Sequence, residues 1–287
     1  MHSWSIEAQL KAVVLPIALL GVLHGGADPW VARALLSDWK PVHRILLTYG
    51  AYIGLMTLVL ISWSVLPVAT LIGFMLVSLW HFGRQDLDTF GLPNWPLTTL
   101  VYGSLPILGP MLGFTEQTAL LFGWLVMQPN HSMLAWLHEL NPLLLTLWLV
   151  GFGMLVLRLA GEGRYRAMRE LLITIPLIFA AMLVLPPLIA FAAYFCVLHS
   201  LGHLLEMSES RQGPWRHWTH RQWLLRLWPA TGGAVALGLI GWWILAPAAT
   251  PEMLFQEHLA RVLFWGLAAL TVPHILLHGL WHQRRTD

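Results

Sequence analysis

The chain has 287 residues, of which 57% are hydrophobic and only 10% charged. A water-soluble domain carries about 25% charged residues, so this chain has too few charges to coat a water-facing surface and must take lipid as its main solvent. Its net charge of +2 comes without a basic patch interleaved with aromatics, which argues against nucleic-acid binding, and its single cysteine, Cys196, excludes an internal disulfide or a thiolate metal cluster.

A membrane-crossing helix needs about 20 mostly apolar residues. The first apolar run, 8–24, is preceded by one lysine, Lys11, and leads straight into His24-Gly25-Gly26-Ala27-Asp28. It reads as a retained helix, not a cleaved signal, with the two glycines as its exit. Runs 45–66 and 68–83 follow, separated by Pro67, and the second ends on His81 with Asp86 shortly after. Run 97–113 comes next. Between 114 and 141 the apolar stretch from Ala119 to Met127 is too short to span and is expected along the interface. Runs 142–159 and 170–185 precede Pro186-Pro187, which no regular helix accommodates internally. Run 188–206 carries His199 and His203, run 231–248 carries no histidine, and run 262–281 carries His274 and His278. The fold class expected is all-α: a polytopic membrane bundle of about nine helices forming one transmembrane domain over residues 1–287.

The basic residues test this division independently, because cytoplasmic loops are enriched in Lys and Arg. Arg33, Lys40, Arg44, Arg84, Arg158, Arg164, Arg166, Arg169, Arg211, Arg216, Arg221, Arg226, Arg284 and Arg285 all follow odd-numbered runs; only Lys11 and Arg261 do not. Fourteen of the 16 basic residues therefore fall on one side. The expectation is an N-terminus outside, a C-terminus in the cytoplasm, and a multi-pass location in the cell (inner) membrane.

Six of the 14 histidines lie in or at the end of apolar runs: His24, His81, His199, His203, His274 and His278. All sit late in odd-numbered runs, so all reach a similar depth near the cytoplasmic face. Ionisable groups inside a membrane are costly and usually functional. His199 and His203 are four residues apart and share one helix face, and His274 and His278 repeat that spacing. Neutral imidazoles suit iron, zinc, copper or nickel, and a thiolate-free set suits a redox iron at least as well as zinc. Asp28, Asp86 and Glu206 accompany the histidines and could orient their rings. The aromatic residues Trp80, Phe82, Tyr194, Phe195, Trp265 and Trp281 flank them, a lining suited to a flat, apolar substrate, although helix packing explains such residues equally well. Spacing alone does not choose between His199/His203 and His274/His278 as primary ligands.

Four elements, in order along the chain, resemble the Brp/Blh family of membrane β-carotene 15,15′-dioxygenases. They are His24-Gly25-Gly26-Ala27-Asp28, Ser78-Leu79-Trp80-His81-Phe82-Gly83 with Asp86, Tyr194-Phe195-Cys196-Val197-Leu198-His199-Ser200-Leu201-Gly202-His203, and Thr271-Val272-Pro273-His274. The resemblance implies an all-helical membrane enzyme that holds ferrous iron, Fe(2+), on His24, His81, His199 and His203. His274, Asp28, Asp86 and Glu206 would then lie behind the ligands or beside the substrate, and Trp80, Phe82, Tyr194 and Phe195 would line its site. It further implies cleavage of the central double bond of β-carotene, or a related carotenoid, by O2 to give retinal, with a functional link to a microbial rhodopsin. Where the family often has a histidine after the first-motif aspartate, this chain has Pro29 and Trp30.

Other functions use similar residues. A membrane di-iron desaturase or hydroxylase uses HxxxH spacings but needs about eight clustered loop histidines. A haem electron carrier, a His-lined metal or proton transporter, and a retinal-handling protein without chemistry are the remaining alternatives; transporters often carry inverted repeats, and none is visible here.

Overall fold

The computed structural model describes residues 4–209, 215, 217–245 and 255–286. Among these there is no strand. Ten main helical segments follow one another, with a single 3-10 turn, Asp88–Phe90, between the third and fourth: α1 (Ile6–Leu35), α2 (Pro41–Val65), α3 (Pro67–Asp86), α4 (Pro96–Gly113), α5 (Thr115–Val126), α6 (Asn130–Gly161), α7 (Tyr165–Val184), α8 (Pro187–Glu209), α9 (His220–Leu245) and α10 (Phe255–Thr286). The end of the expected run 231–248, at 246–248, lies outside the described residues, as do Arg211 and Arg216.

Seven of these segments, α1, α2 and α6–α10, are long and apolar enough to cross a membrane, and the α4–α5 pair raises the number to eight if it counts as one span. The remaining run, α3, closes with His81, Arg84, Gln85 and Asp86, which dilute its apolar character. One of the two longest helices, α6, shows why lipid is the solvent. On α6 the inward stripe Trp148, Gly151, Leu155 and Leu159 is buried, while the outward stripe Leu147, Val150, Met154 and Leu157 is exposed and equally apolar. A helix that is hydrophobic all round belongs inside protein or hydrocarbon.

The stretch 115–126 is packed within the protein. Helix α5 turns back from α4 at 111° and runs into the bundle, packing against α6 and α10, with Ala119, Leu125 and Val126 buried. Its shortness is met by protein contacts instead of span length. Polar groups tie the bundle where no water is available. Gln9 accepts from the Leu188 amide at 3.0 Å, one of the free N–H groups at the start of α8, and the Asn141 amide donates to Met111 O at 2.7 Å.

Two helices depart from α geometry at the depth of the histidines. In α1 a π-turn, Ile17–Gly21, passes into a 3-10 turn, Leu23–Ala27, and the chain continues as helix from Asp28. In α8 residues Tyr194–Leu201 are π-helical. The two irregular stretches pack against each other. The carbonyls freed in α1 find side chains: Ser200 Oγ donates to Leu20 O at 2.6 Å, and His24 Nδ1 to Gly21 O at 2.7 Å. Gly25-Gly26 therefore does not end the helix. At Gly26 a Cβ would stand 2.7 Å from Leu227 O, so the glycine is needed for the close crossing of α9.

Candidate metal centre

Five imidazoles converge where α1, α3, α8 and α10 meet. His24 comes from the 3-10 turn of α1, His81 from the last turns of α3, His199 from the π-helical stretch of α8, His203 from the turn beyond, and His274 from α10. All five are buried. The His24 ring lies 5.1 Å from that of His199, 4.9 Å from His274 and 6.1 Å from His203, centroid to centroid. His81 lies 4.8 Å from His199 and 5.3 Å from His274. One ring nitrogen from each of His24, His81 and His274 falls within 4.8 Å of the others. These three are set closely enough that one ion could be held between them.

The ring nitrogens are sorted into anchored and free. His199 Nδ1 donates to Asp86 Oδ1 at 2.9 Å, and Asp86 Oδ2 accepts from the Tyr194 hydroxyl at 2.6 Å. His274 Nδ1 donates to Asp28 at 2.9 Å, and Asp28 also accepts from the Tyr52 hydroxyl at 2.7 Å and from His278 Nε2 at 3.1 Å. His203 Nδ1 lies 2.5 Å from the Gln85 side-chain amide. The Nε2 atoms of His199, His203 and His274 are buried without a hydrogen-bond partner among the described residues. An unsatisfied buried polar atom costs roughly 1–3 kcal/mol, and a metal cation is a partner that a neutral imidazole nitrogen takes; of these three rings, His274 belongs to the close-set trio with His24 and His81. Carboxylate behind, free nitrogen in front is how metal-binding histidines are commonly held. The donor set, neutral imidazole without thiolate, fits iron.

The centre forms one wall of an apolar cavity of about 780 Å³. His24, His81, His199 and His274 reach this wall, as do Phe82 and Phe195. Three expected residues stand elsewhere. Trp80 points outward, 44% exposed, because it stands two residues from the buried Phe82 and so on the opposite side of the helix. Glu206 is exposed beyond the centre. Tyr194 does not touch the cavity but lies behind His199, bonded to Asp86. Sequence reasoning missed Tyr52, Ser200 and Gln85. Tyr52 carried a usable signal: a hydroxyl in the middle of an apolar span needs a polar partner.

Fold and site together define a class: multi-pass helical membrane proteins with a buried polyhistidine centre opening on an apolar cavity. The family model described as Beta-carotene 15,15'-dioxygenase matches residues 15–282. The chain belongs to that family, and is a dioxygenase. It is 28% identical over 265 residues to the Beta-carotene 15,15'-dioxygenase of uncultured marine bacterium 66A03, covering 91% of this chain and 90% of the relative. It is 27% identical over 304 residues to the Probable beta-carotene 15,15'-dioxygenase Blh of Halobacterium salinarum, covering 95% and 84%. No solved structure matches the chain.

Proposed function

We propose that this protein cleaves the central double bond of β-carotene, or of a closely related carotenoid, with O2 to yield retinal, using ferrous iron held by His24, His81, His199 and His203. The observation that carries the reading is the pair of buried, unpartnered imidazole nitrogens of His199 and His274 at the wall of an apolar cavity, in a chain of the β-carotene dioxygenase family. When bound, iron supplies the redox chemistry that lets molecular oxygen react with an alkene.

The chain's own residues do the rest. Asp86 and Asp28 hold the Nδ1 protons of His199 and His274, which leaves each Nε2 lone pair free. Phe82 and Phe195 flank the imidazoles and present apolar faces to a flat polyene. The cavity keeps water from the reacting carbons and holds one long substrate in a fixed register, which is where positional selectivity arises. Tyr49 and Ile53 on α2, and Leu237 and Ile240 on α9, line the cavity and are also exposed on the outer surface. A substrate dissolved in the bilayer enters sideways between these two helices.

The same reading takes all nine sequence runs as crossings, with α3 and the bent α4–α5 pair added to the seven clear spans, N-terminus outside and C-terminus cytoplasmic in the inner membrane. Fourteen of 16 basic residues on one side support it. Retinal made at this centre would serve a retinal-binding partner such as a microbial rhodopsin.

The test is co-expression with β-carotene synthesis and chromatography of the extract. The expected result is loss of β-carotene with stoichiometric retinal, two molecules per carotenoid. Unchanged β-carotene, or apocarotenals of unequal length, would contradict the reading.

A further inference from the structure

We infer that His274 is itself a ligand of the metal, beside the four histidines proposed above, and that Asp28 and Tyr52 are the positioning pair that aims it. The inference rests on the iron centre of the proposed function and deepens it.

The centre contains the same device twice. On one side Tyr194 donates to Asp86, Asp86 accepts from His199 Nδ1, and His199 Nε2 is buried without a partner. On the other side Tyr52 donates to Asp28, Asp28 accepts from His274 Nδ1, and His274 Nε2 is buried without a partner. Distances match closely: 2.6 and 2.9 Å in the first, 2.7 and 2.9 Å in the second. A carboxylate behind Nδ1 fixes the tautomer whose Nε2 carries a lone pair, and that is the form that binds metals.

Position agrees with build. His274 supplies one of the three ring nitrogens that lie within 4.8 Å of one another, with His24 and His81. It reaches the cavity wall, where a reacting carbon would lie, together with His24, His81 and His199. His203 is held differently. Its Nδ1 faces the Gln85 amide, which offers either a donor or an acceptor and so does not by itself fix a tautomer. Asp28 also couples two ligands mechanically: it follows His24 on α1 and grips His274 on α10, so a change at Asp28 disturbs both.

The test uses the full chain purified in detergent and loaded with ferrous iron without oxygen. Bound iron per chain and the electron paramagnetic resonance spectrum of the nitric oxide adduct are measured. His274→Gly is expected to retain iron at least about ten-fold more weakly and to show an altered spectrum, and added imidazole is expected to restore both. Asp28→Asn and Tyr52→Phe are expected to weaken iron retention while the protein still elutes and melts as the parent does. They decide the matter if His274→Gly does not fold. Parent-like iron retention and spectrum in folded His274→Gly, or in both Asp28→Asn and Tyr52→Phe, would overturn the inference while leaving the proposed function standing. A wild-type chain that takes up no iron would overturn both.

Discussion

Asp86 and His199 face each other across two helices at 2.9 Å, carboxylate oxygen to Nδ1, both fully enclosed by protein. The contact orders the centre from behind: it spends one ring nitrogen on orientation and leaves the other for the metal. Replacing Asp86 with Asn keeps the shape but removes the charge that favours this arrangement. Iron affinity is expected to fall about 10–100-fold, measured by competition with a chelator. Tyr194→Phe, which removes only the hydroxyl that steadies Asp86, should cost less.

Alanine at His24, His81 or His199 is expected to abolish retinal formation in carotenoid-producing cells. Alanine at His43, an exposed residue near the start of α2, should leave it unchanged. Full activity of His199→Ala would remove the chemical basis of the account.

The crossing of α3 and α4 depends on missing side chains. A Cβ at Gly83 would collide with the carbonyl oxygen of Thr99, and one at Gly103 with that of Leu79. Backbone cannot yield as a flexible side chain can, so Gly83→Ala should destabilise by about 1–3 kcal/mol. Gly54, with open space where a Cβ would stand, should accept alanine without loss. Thermal unfolding in detergent compares the two.

Cavity length should set substrate range. Ala234 lines the cavity on α9. Ala234→Trp fills part of the apolar space without touching the imidazoles, so turnover of β-carotene is expected to drop roughly ten-fold or more, the scale of a misfit of one or two methylenes. A shorter apocarotenoid should lose less. Equal losses for both substrates, with iron content intact, would show that the cavity does not read length.

The histidines were legible because a bilayer span tolerates few polar residues, so each one stands out against its background. Their common depth followed from counting charges between apolar runs. Their grouping into one site was not derivable from depth, because which helices touch is a matter of packing. Gly26 illustrates the gap: as sequence it reads as a helix exit, and only the carbonyl of Leu227 beside it shows that it makes room for α9. Trp80 and Phe82 flank the same histidine, yet one faces outward and the other the cavity; helical phase near a polar turn was not fixed by the pattern. The burial of α5 was hidden for a related reason, since a short apolar run looks alike whether it lies on a surface or folds inward at a 111° bend.

The most direct measurement is an anomalous difference map at the iron edge from crystals of the iron-loaded protein. The account requires one peak at the convergence of α1, α3, α8 and α10, about 2.1 Å from ring nitrogens of His24, His81, His199 and His203. A strong peak elsewhere, or none in protein that still produces retinal, would contradict it.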